Sequence, residues 1–167
     1  LEWRDEENLF FKLSNYQQEI EELVNRPDFI SPINRKNEIT NFVAAGLKDF
    51  SISRRNVYWG ITVPSNEDHT FYVWFDALLG YINGSSSDPQ EVSLNSAING
   101  HWPVSVHIIG KDILRFHAVY WPAMLLSAGL ELPKKVIGHG FLTREGKKMG
   151  KSLGNVLDPY SLLKFSG

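Results

Sequence analysis

The spacing of apolar residues predicts two helices in the first third of the chain. Ser14 and Gln17 have the spacing of a helix capping box, so the first helix is expected to begin there. Its apolar face is formed by Tyr16, Ile20, Leu23 and Val24. The second helix is expected to open at Ser31-Pro32 and to end near Gly46. Its apolar face is formed by Ile39, Phe42, Val43 and Leu47.

After Leu47 the pattern changes to runs of aromatic and β-branched residues. Residues 57–63 and 70–75 are of this kind, and a polar, turn-forming segment at 64–68 separates them. This arrangement predicts a hairpin or two neighbouring strands. The polar segment 83–89 is expected to be a surface loop.

A strand, a turn and a helix are predicted next. Residues 104–109 form an apolar strand that leads through Gly110-Lys111-Asp112 into a helix, which Pro122 should kink or interrupt. A further strand at 136–138 precedes a basic loop, and a last helix follows Asp158-Pro159. Strands that alternate with helices favour an α/β fold with a parallel sheet covered on both faces. Ligands of such sheets bind at the carboxyl ends of the strands, where residues 74–76, 110–112 and 146–152 are expected.

Composition excludes several classes of function. The 167 residues carry a net charge of -2, which gives no overall electrostatic footprint for nucleic acid. The sequence has no cysteine, so disulfides, thiolate zinc sites and cysteine nucleophiles are excluded. His69, His101 and His107 show no metal-ligand spacing and are interpreted as structural, so no metal site is predicted. No apolar run reaches the roughly 20 residues that span a membrane, and the acidic start does not resemble a signal peptide.

The basic loop is the segment with the clearest chemistry. Residues 146–152 contain three lysines and two glycines, a composition that suits polyphosphate binding in a loop that closes over its ligand. A solvated basic turn is the alternative. A Walker A motif is excluded, because Gly146 lies one residue too close to Gly150-Lys151-Ser152.

This loop resembles the Lys-Met-Ser-Lys-Ser signature of class I aminoacyl-tRNA synthetases. Here it reads Lys148-Met149-Gly150-Lys151-Ser152, with glycine in place of the first serine. The segments around it are similar to methionyl-tRNA synthetases and follow the order of that family over nearly the whole chain. They are residues 8–14, 51–54, 72–77, 110–117, 121–125 and 139–143.

The resemblance implies a set of residues for ATP, with Mg2+ expected to arrive bound to the phosphates. Lys151, assisted by Lys148, is expected to stabilise the charge that develops on pyrophosphate, and Arg54 aligns with a family arginine of the same role. Arg54 could instead be a surface ion-pair residue. The ATP-binding positions that the resemblance implies are Gly110, Asp112, His139, Leu142, Lys148 and Lys151. Asp112 could instead cap the following helix.

The resemblance also implies a pocket for L-methionine. Its positions are Trp74, Ala77, Leu78, Tyr81, Ile113 and His117. Aromatic rings are favourable neighbours for a thioether sulfur. Without the resemblance, Trp74, Tyr81 and His117 would be interpreted as ordinary core residues.

The expected fold is the second half of a Rossmann-like doubly wound parallel sheet, preceded by helices from the end of the connective insertion. The expected units are a helical segment at 1–50, the half-sheet at 51–145, and the signature loop with the start of the stem-contact region at 146–167. Zinc, which some family members bind in the insertion, is not expected in this segment.

The sequence contains no His-x-Gly-His, the second signature of class I enzymes. We therefore expect part of a methionine–tRNA ligase that is inactive by itself, with the missing halves of the same polypeptide and the acceptor end of tRNA(Met) as partners. Two alternatives are a class I synthetase for another apolar amino acid and a non-catalytic nucleotide- or tRNA-acceptor-binding module. The expected location is the bacterial cytoplasm or an organellar matrix or stroma, without membrane association or secretion.

Overall fold

The computed structural model describes residues 6–55, 57, 59–86, 90 and 93–166. Its α-helices are α1 (Gln17–Asn25), α2 (Ile33–Ala44), α3 (Val73–Gly84), α4 (Leu94–Asn99), α5 (Trp121–Ser127) and α6 (Pro159–Ser166). Its strands are β1 (Phe10–Phe11), β2 (Ile30–Ser31), β3 (Phe50–Ser51), β4 (Ser53–Arg55), β5 (Thr62–Val63), β6 (Asn66–Phe71), β7 (His107–Gly110), β8 (Val136–His139), β9 (Thr143–Arg144) and β10 (Lys147–Lys148). Short 3₁₀ turns lie at Leu13–Tyr16, Lys111–Ile113 and Lys151–Leu153, and a π-helical turn lies at Phe116–Tyr120.

A parallel three-stranded sheet in the order β2-β8-β7 confirms the predicted α/β class. In the register of β7 and β8, Gly110 lies beside His139. Both strands therefore end at the same edge of the sheet, and the segments that follow them leave that edge side by side. The prediction that residues 110–112 and the basic loop share one edge of the sheet is confirmed. The same prediction for residues 74–76 is wrong, because they lie in α3 after a strand of the antiparallel sheet.

The helices α1 and α2 pack against this sheet through one continuous core. Ile20, Val24, Ile39, Val43 and Val136 are fully buried in it. The apolar faces predicted for the two helices are therefore the faces that the fold buries. Burying an aliphatic side chain of this size contributes about 1.5–3 kcal/mol, so this contact supplies a large part of the stability.

The predicted capping box at Ser14 and Gln17 is wrong. α1 begins only at Gln17, after a 3₁₀ turn, and the Ser14 hydroxyl donates to Asp49 Oδ1 at 2.7 Å. The Gln17 side chain reaches α2 and the loop after it: it donates to the Val43 carbonyl at 3.0 Å and accepts from the Leu47 amide at 2.7 Å. The Ser14 and Gln17 side chains therefore form hydrogen bonds with residues distant in sequence, and they do not cap α1.

The predicted hairpin is confirmed, because β5 pairs antiparallel with β6, but the predicted strand bounds are wrong. Among the described residues of the first predicted strand, 57–63, only Thr62–Val63 is a strand, and residue 58 lies outside the described part of the chain. In the second, β6 ends at Phe71 and α3 begins at Val73, so Trp74 is helical and follows an antiparallel strand. Within α3, Leu78 is buried against Trp121 and the Trp74 ring stacks on Phe116. Packing against another helix outweighs the β propensity of these residues.

The predicted surface loop at 83–89 begins later than expected. Asn83 and Gly84 are the last residues of α3, and Ser85 caps its end. Residues 87–89 lie outside the described part of the chain.

The helix after β7 is interrupted near Pro122, as predicted. The chain leaves Gly110 through a 3₁₀ turn, forms the π-helical turn Phe116–Tyr120 and resumes as α5, with Pro122 in its first turn. A proline in the first turn of a helix removes no hydrogen bond that the helix needs. The π-helical turn directly precedes it and carries His117.

Candidate active site

A cavity of about 370 Å³ opens where β7 and β8 end. The residues around it are Gly110, Asp112, His139, Phe141, Leu142, Lys148, Met149, Gly150, Lys151 and Val156. All six positions expected to bind ATP are therefore brought together, although they come from three separate segments. Their role in nucleotide binding stays a prediction.

Asp112 and Gly110 are coupled by close packing. A Cβ atom added to Gly110 would lie 2.6 Å from Asp112 Oδ1, so the glycine leaves the room that this carboxylate occupies. Gly110 itself, rather than Asp112, holds the N-cap position of the following turn. Asp112 Oδ2 lies 3.9 Å from Lys148 Nζ, and both side chains are about half exposed. In the free protein the carboxylate and the ammonium group thus partly neutralise each other at the mouth of the cavity.

The basic loop is a hairpin, formed by β9 and β10, that continues into a 3₁₀ turn. The Met149 amide donates to the Leu142 carbonyl at 2.9 Å, which ties the loop to the end of the segment that follows β8. Lys148 Nζ lies 3.7 Å from the centre of the Phe141 ring, a cation–π contact. Lys151 is exposed at the cavity wall.

Asn155 fixes the shape of this loop and was missed by the sequence analysis. Its side chain accepts from the Gly150 amide at 2.9 Å and donates to the Lys148 carbonyl at 3.2 Å. These two bonds hold the loop backbone between the two cavity lysines. Gly154, in the left-handed region at φ 62°, turns the chain so that Asn155 follows the 3₁₀ turn.

Gly150 is not required by space or backbone conformation. Its φ of -159° is extended, and the nearest atom to an added Cβ would be Ser152 Oγ at 3.9 Å. A serine, as in the family signature, would fit at this position.

Two of the expected methionine-binding residues, Tyr81 of α3 and His117 of the helical segment after β7, are joined by a hydrogen bond. Trp74, Ala77, Leu78 and Tyr81 lie on one face of α3. The Tyr81 hydroxyl and His117 Nε2 are 2.7 Å apart, and His117 Nδ1 is 2.9 Å from the Ile113 carbonyl oxygen. A carbonyl can only accept, so Nδ1 carries the proton of the neutral ring and Nε2 accepts from Tyr81. Burial lowers the pKa of His117, which favours this neutral form.

The remaining members of this group differ in their exposure. The Trp74 ring stacks on Phe116 at a centroid distance of 4.3 Å, a partner that the sequence analysis did not assign to the site. Ala77 is exposed, whereas Leu78 is buried in a core cluster with Trp121. Leu78 therefore packs in the core and presents no surface to a ligand.

Arg54 does not line the cavity that holds the lysines. Its Nη1 donates to Ser51 Oγ at 2.7 Å and to the Ser53 carbonyl at 2.8 Å, and its guanidinium lies 4.3 Å from the centre of the Tyr72 ring. The neighbouring Arg55 makes long ion pairs with acidic side chains instead. The structure thus leaves Arg54 apart from the other expected catalytic residues.

Within residues 6–55, 57, 59–86, 90 and 93–166, no group of three or more histidine or acidic side chains is placed to hold a metal ion. His69 is buried and shares a hydrogen bond of 3.0 Å with Ser53 Oγ. No helix in the same part of the chain is long and apolar enough to cross a bilayer.

Comparison with known proteins identifies the class of this chain. The sequence model of the family described as tRNA synthetases class I (M) matches residues 1–166, so the chain belongs to this family of class I tRNA synthetases. It is 59% identical to the methionine–tRNA ligase of Synechocystis over 167 residues, 99% of this chain and 31% of the relative. It is 58% identical to the chloroplastic/mitochondrial methionine–tRNA ligase of Arabidopsis thaliana, with 98% of this chain and 27% of that protein covered.

A solved structure supports the fold. The methionyl-tRNA synthetase of Mycobacterium tuberculosis, bound by methionyl-adenylate, matches with a TM-score of 0.81 and 46% identity, covering 98% of this chain and 32% of that one. The chain thus spans about a third of the length of these relatives. A synthetase for another amino acid and a non-catalytic module are not favoured by these relatives.

Proposed function

We propose that this chain carries the pyrophosphate and methionine sites of a methionine–tRNA ligase. The reaction joins the methionine carboxylate to the α-phosphate of ATP, releases pyrophosphate, and passes the methionyl group to the terminal ribose of tRNA(Met). The observation that carries the proposal is the cavity between the ends of β7 and β8 and the signature loop. We assign the activity to the protein at its natural length, because the matched relatives are about three times longer than this chain.

The cavity offers part of the chemistry that adenylate formation requires. As the carboxylate oxygen bonds to the α-phosphorus, the bond to the bridging oxygen breaks and negative charge moves onto the departing pyrophosphate. Lys148 and Lys151 offer mobile ammonium groups to that charge, and Mg2+ is expected to enter with the phosphates. Asp112 suits the ribose, because a carboxylate accepts from both hydroxyls, and Gly110 leaves the room that this carboxylate occupies. His139 and Leu142 complete the wall on the nucleotide side.

Lys148 would exchange partners as ATP binds. In the free protein its ammonium group faces Asp112 and the Phe141 ring, at 3.9 and 3.7 Å. The triphosphate as a whole carries more negative charge than the single Asp112 carboxylate, and its oxygens form charge-assisted hydrogen bonds with an ammonium group. Arg54 would similarly have to leave Ser51 to reach pyrophosphate, so we propose for it a role that requires local movement.

Selection of methionine is assigned to α3 and the π-helical turn. A hydrophobic pocket distinguishes close apolar analogues by only about 1–3 kcal/mol, so shape and sulfur contacts have to add to apolar burial. Trp74, stacked on Phe116, offers a flat aromatic wall, and Tyr81, bonded to His117, offers a second ring with its oxygen in a fixed place. Ala77, which is exposed, and Ile113, which is half-buried, supply the aliphatic surface, whereas the buried Leu78 belongs to the core.

The location and the tRNA contact belong to the same proposal. The relatives include bacterial enzymes and one described as chloroplastic/mitochondrial, so we propose a bacterial cytoplasm or an organellar matrix or stroma. We also propose that residues 146–167 hold the signature loop and begin the stem-contact region, that residues 51–145 are the half-sheet, and that residues 1–50 join it to the connective insertion.

The proposal is tested by methionine-dependent exchange of pyrophosphate into ATP, measured on the natural-length protein that carries these residues. We expect exchange with methionine and little with leucine, isoleucine or valine. Trp74→Ala should raise the methionine KM by about tenfold, since it removes an aromatic wall, while Trp74→Phe should lie close to the wild type. Exchange that leucine supports as well as methionine would refute the assignment.

Asn155 provides a separate prediction on the signature loop. Asn155→Ala removes the bonds to Gly150 and Lys148 and should lower kcat for exchange by about tenfold, the value of two modest hydrogen bonds. Asn155→Asp keeps the acceptor for the Gly150 amide and should show an intermediate loss. The methionine KM should not change, because these bonds lie on the nucleotide side. Equal activity of the alanine variant and the wild type would show that the loop keeps its shape without Asn155.

A further inference from the structure

We propose that His107 is a positioning residue of the amino-acid pocket, which holds the Tyr81 ring where its hydroxyl meets His117. This inference rests on the proposed function and adds a residue from β7 to a pocket so far built from helices. His107 would act through Tyr81 without touching the substrate.

The geometry places His107 against both members of the Tyr81–His117 pair. The His107 ring lies 4.5 Å from the Tyr81 ring, centre to centre, at an interplanar angle of 62°. It lies 5.5 Å from the His117 ring at 63°, and the rings of Tyr81 and His117 are also 5.5 Å apart. The three rings therefore form a closed triangle of edge-on contacts. Such contacts stabilise one relative orientation of aromatic rings beyond the burial of their surface.

The surroundings of His107 do not account for an imidazole at this position. The side chain is 4% exposed, and its Nε2 is buried without a hydrogen-bond partner among the described residues. An unsatisfied buried polar atom destabilises a fold, and an apolar side chain of similar volume would avoid that cost. What the ring does provide is a flat, rigid surface against Tyr81.

That surface matters because a free Tyr81 side chain would have other rotamers. Fixing a side chain before the ligand arrives removes an entropy cost from binding. The bond between Tyr81 and His117 fixes one end of the side chain, and His107 fixes the face of the ring. Burial and the neighbouring His117 hold the pKa of His107 at about 4, so the ring is neutral at pH 7 and acts by its shape.

The test compares His107→Leu with His107→Phe in the natural-length protein. Both replacements fill the space, but only phenylalanine keeps a flat ring. Steady-state pyrophosphate exchange gives the KM of methionine and of ATP and the kcat, and thermal unfolding checks the fold. We expect His107→Leu to raise the methionine KM by about threefold to tenfold, the size of one aromatic pair, with the ATP KM and kcat within about twofold. His107→Phe should restore the methionine KM.

A second arm tests whether the effect passes through Tyr81. In a Tyr81→Ala background, His107→Leu should cause no further rise in the methionine KM, because residues that act through one contact are not additive. Full additivity would overturn the proposal. So would an unchanged methionine KM in His107→Leu, a parallel change in the ATP KM, or a His107→Phe variant as impaired as His107→Leu. If His107→Leu does not fold, His107→Met, which also lacks a ring, takes its place with the same expected rise in the methionine KM.

The wild type separates this inference from the proposed function. A folded wild type that neither exchanges nor binds methionine in calorimetric titration overturns the function. An active wild type whose methionine KM is insensitive to His107 overturns only the inference.

Discussion

Lys151→Ala is expected to lower kcat for methionine-dependent pyrophosphate exchange by about 100-fold to 1,000-fold, the usual cost of removing a group that stabilises transition-state charge. The ammonium group of Lys151 is exposed at the cavity wall, next to the extended Gly150. In the ground state, Mg2+ bound to ATP would partly neutralise the phosphate charge. The contact should therefore strengthen as pyrophosphate departs, and the loss should fall on kcat more than on the ATP KM.

Lys147 offers a matched control for this substitution. It precedes Lys148 on β10, is similarly exposed and carries the same charge, but it borders a different surface cavity with Arg144, Glu145 and Asn155. Lys147→Ala should keep kcat within about threefold of the wild type, since only solvent-exposed charge is lost. Equal losses in the two variants would mean that the general charge of the loop, and not a positioned Lys151, accelerates the reaction.

The sequence pattern correctly predicted those parts of the fold whose structure depends on residues close together in the chain. The buried faces of α1 and α2 follow from a spacing of three and four residues, and the interruption before α5 follows from Pro122. The strand predicted at residues 70–75 was wrong beyond Phe71, because aromatic and β-branched side chains suit a strand and a buried helix face equally well. The contact of Trp74 with Phe116, 42 residues away in sequence, decides between them.

In the candidate site too, the sequence predicted residue positions but not the contacts between residues that are distant in sequence. The resemblance supplied Tyr81 and His117 as separate positions, but the hydrogen bond between them joins residues 36 apart and depends on how α3 packs. Asn155 lies only a few residues beyond the signature, yet no periodicity marks a side chain that bonds back to the loop backbone. His107 was interpreted as structural because its spacing fits no metal site. Its neighbours Tyr81 and His117 come from two other elements, which only the folded chain brings together.

The stability of the protein is expected to fall by about 2 kcal/mol between pH 7 and pH 5 through His107 alone. Its pKa in the folded chain is about 4, below the ordinary value of 6.5, chiefly because burial disfavours the charged ring and secondarily because of His117. Between pH 6.5 and pH 4 the unfolded chain therefore binds a proton that the folded chain does not. The contribution of His107 to the free energy of unfolding is nearly constant well above pH 6.5 and decreases as the pH falls through this window.

His117 acts in the same direction, because burial also lowers its pKa. The carboxylates act elsewhere: hydrogen bonds from Ser14 and Lys12 lower the pKa of Asp49 to about 2, so its stabilising contribution is lost only as the pH falls below about 4. A decrease in stability between pH 7 and pH 5 is thus a property of the buried histidines.

Urea unfolding followed by tryptophan fluorescence at pH 7 and pH 5 measures this difference. His107→Phe, which keeps a ring but cannot bind a proton, should remove about 2 kcal/mol of the pH dependence and leave the part due to His117. A wild type equally stable at both pH values would show that the pocket admits water or a counter-charge to His107. The folded chain would then bind the proton as readily as the unfolded chain, and His107 would contribute no pH dependence.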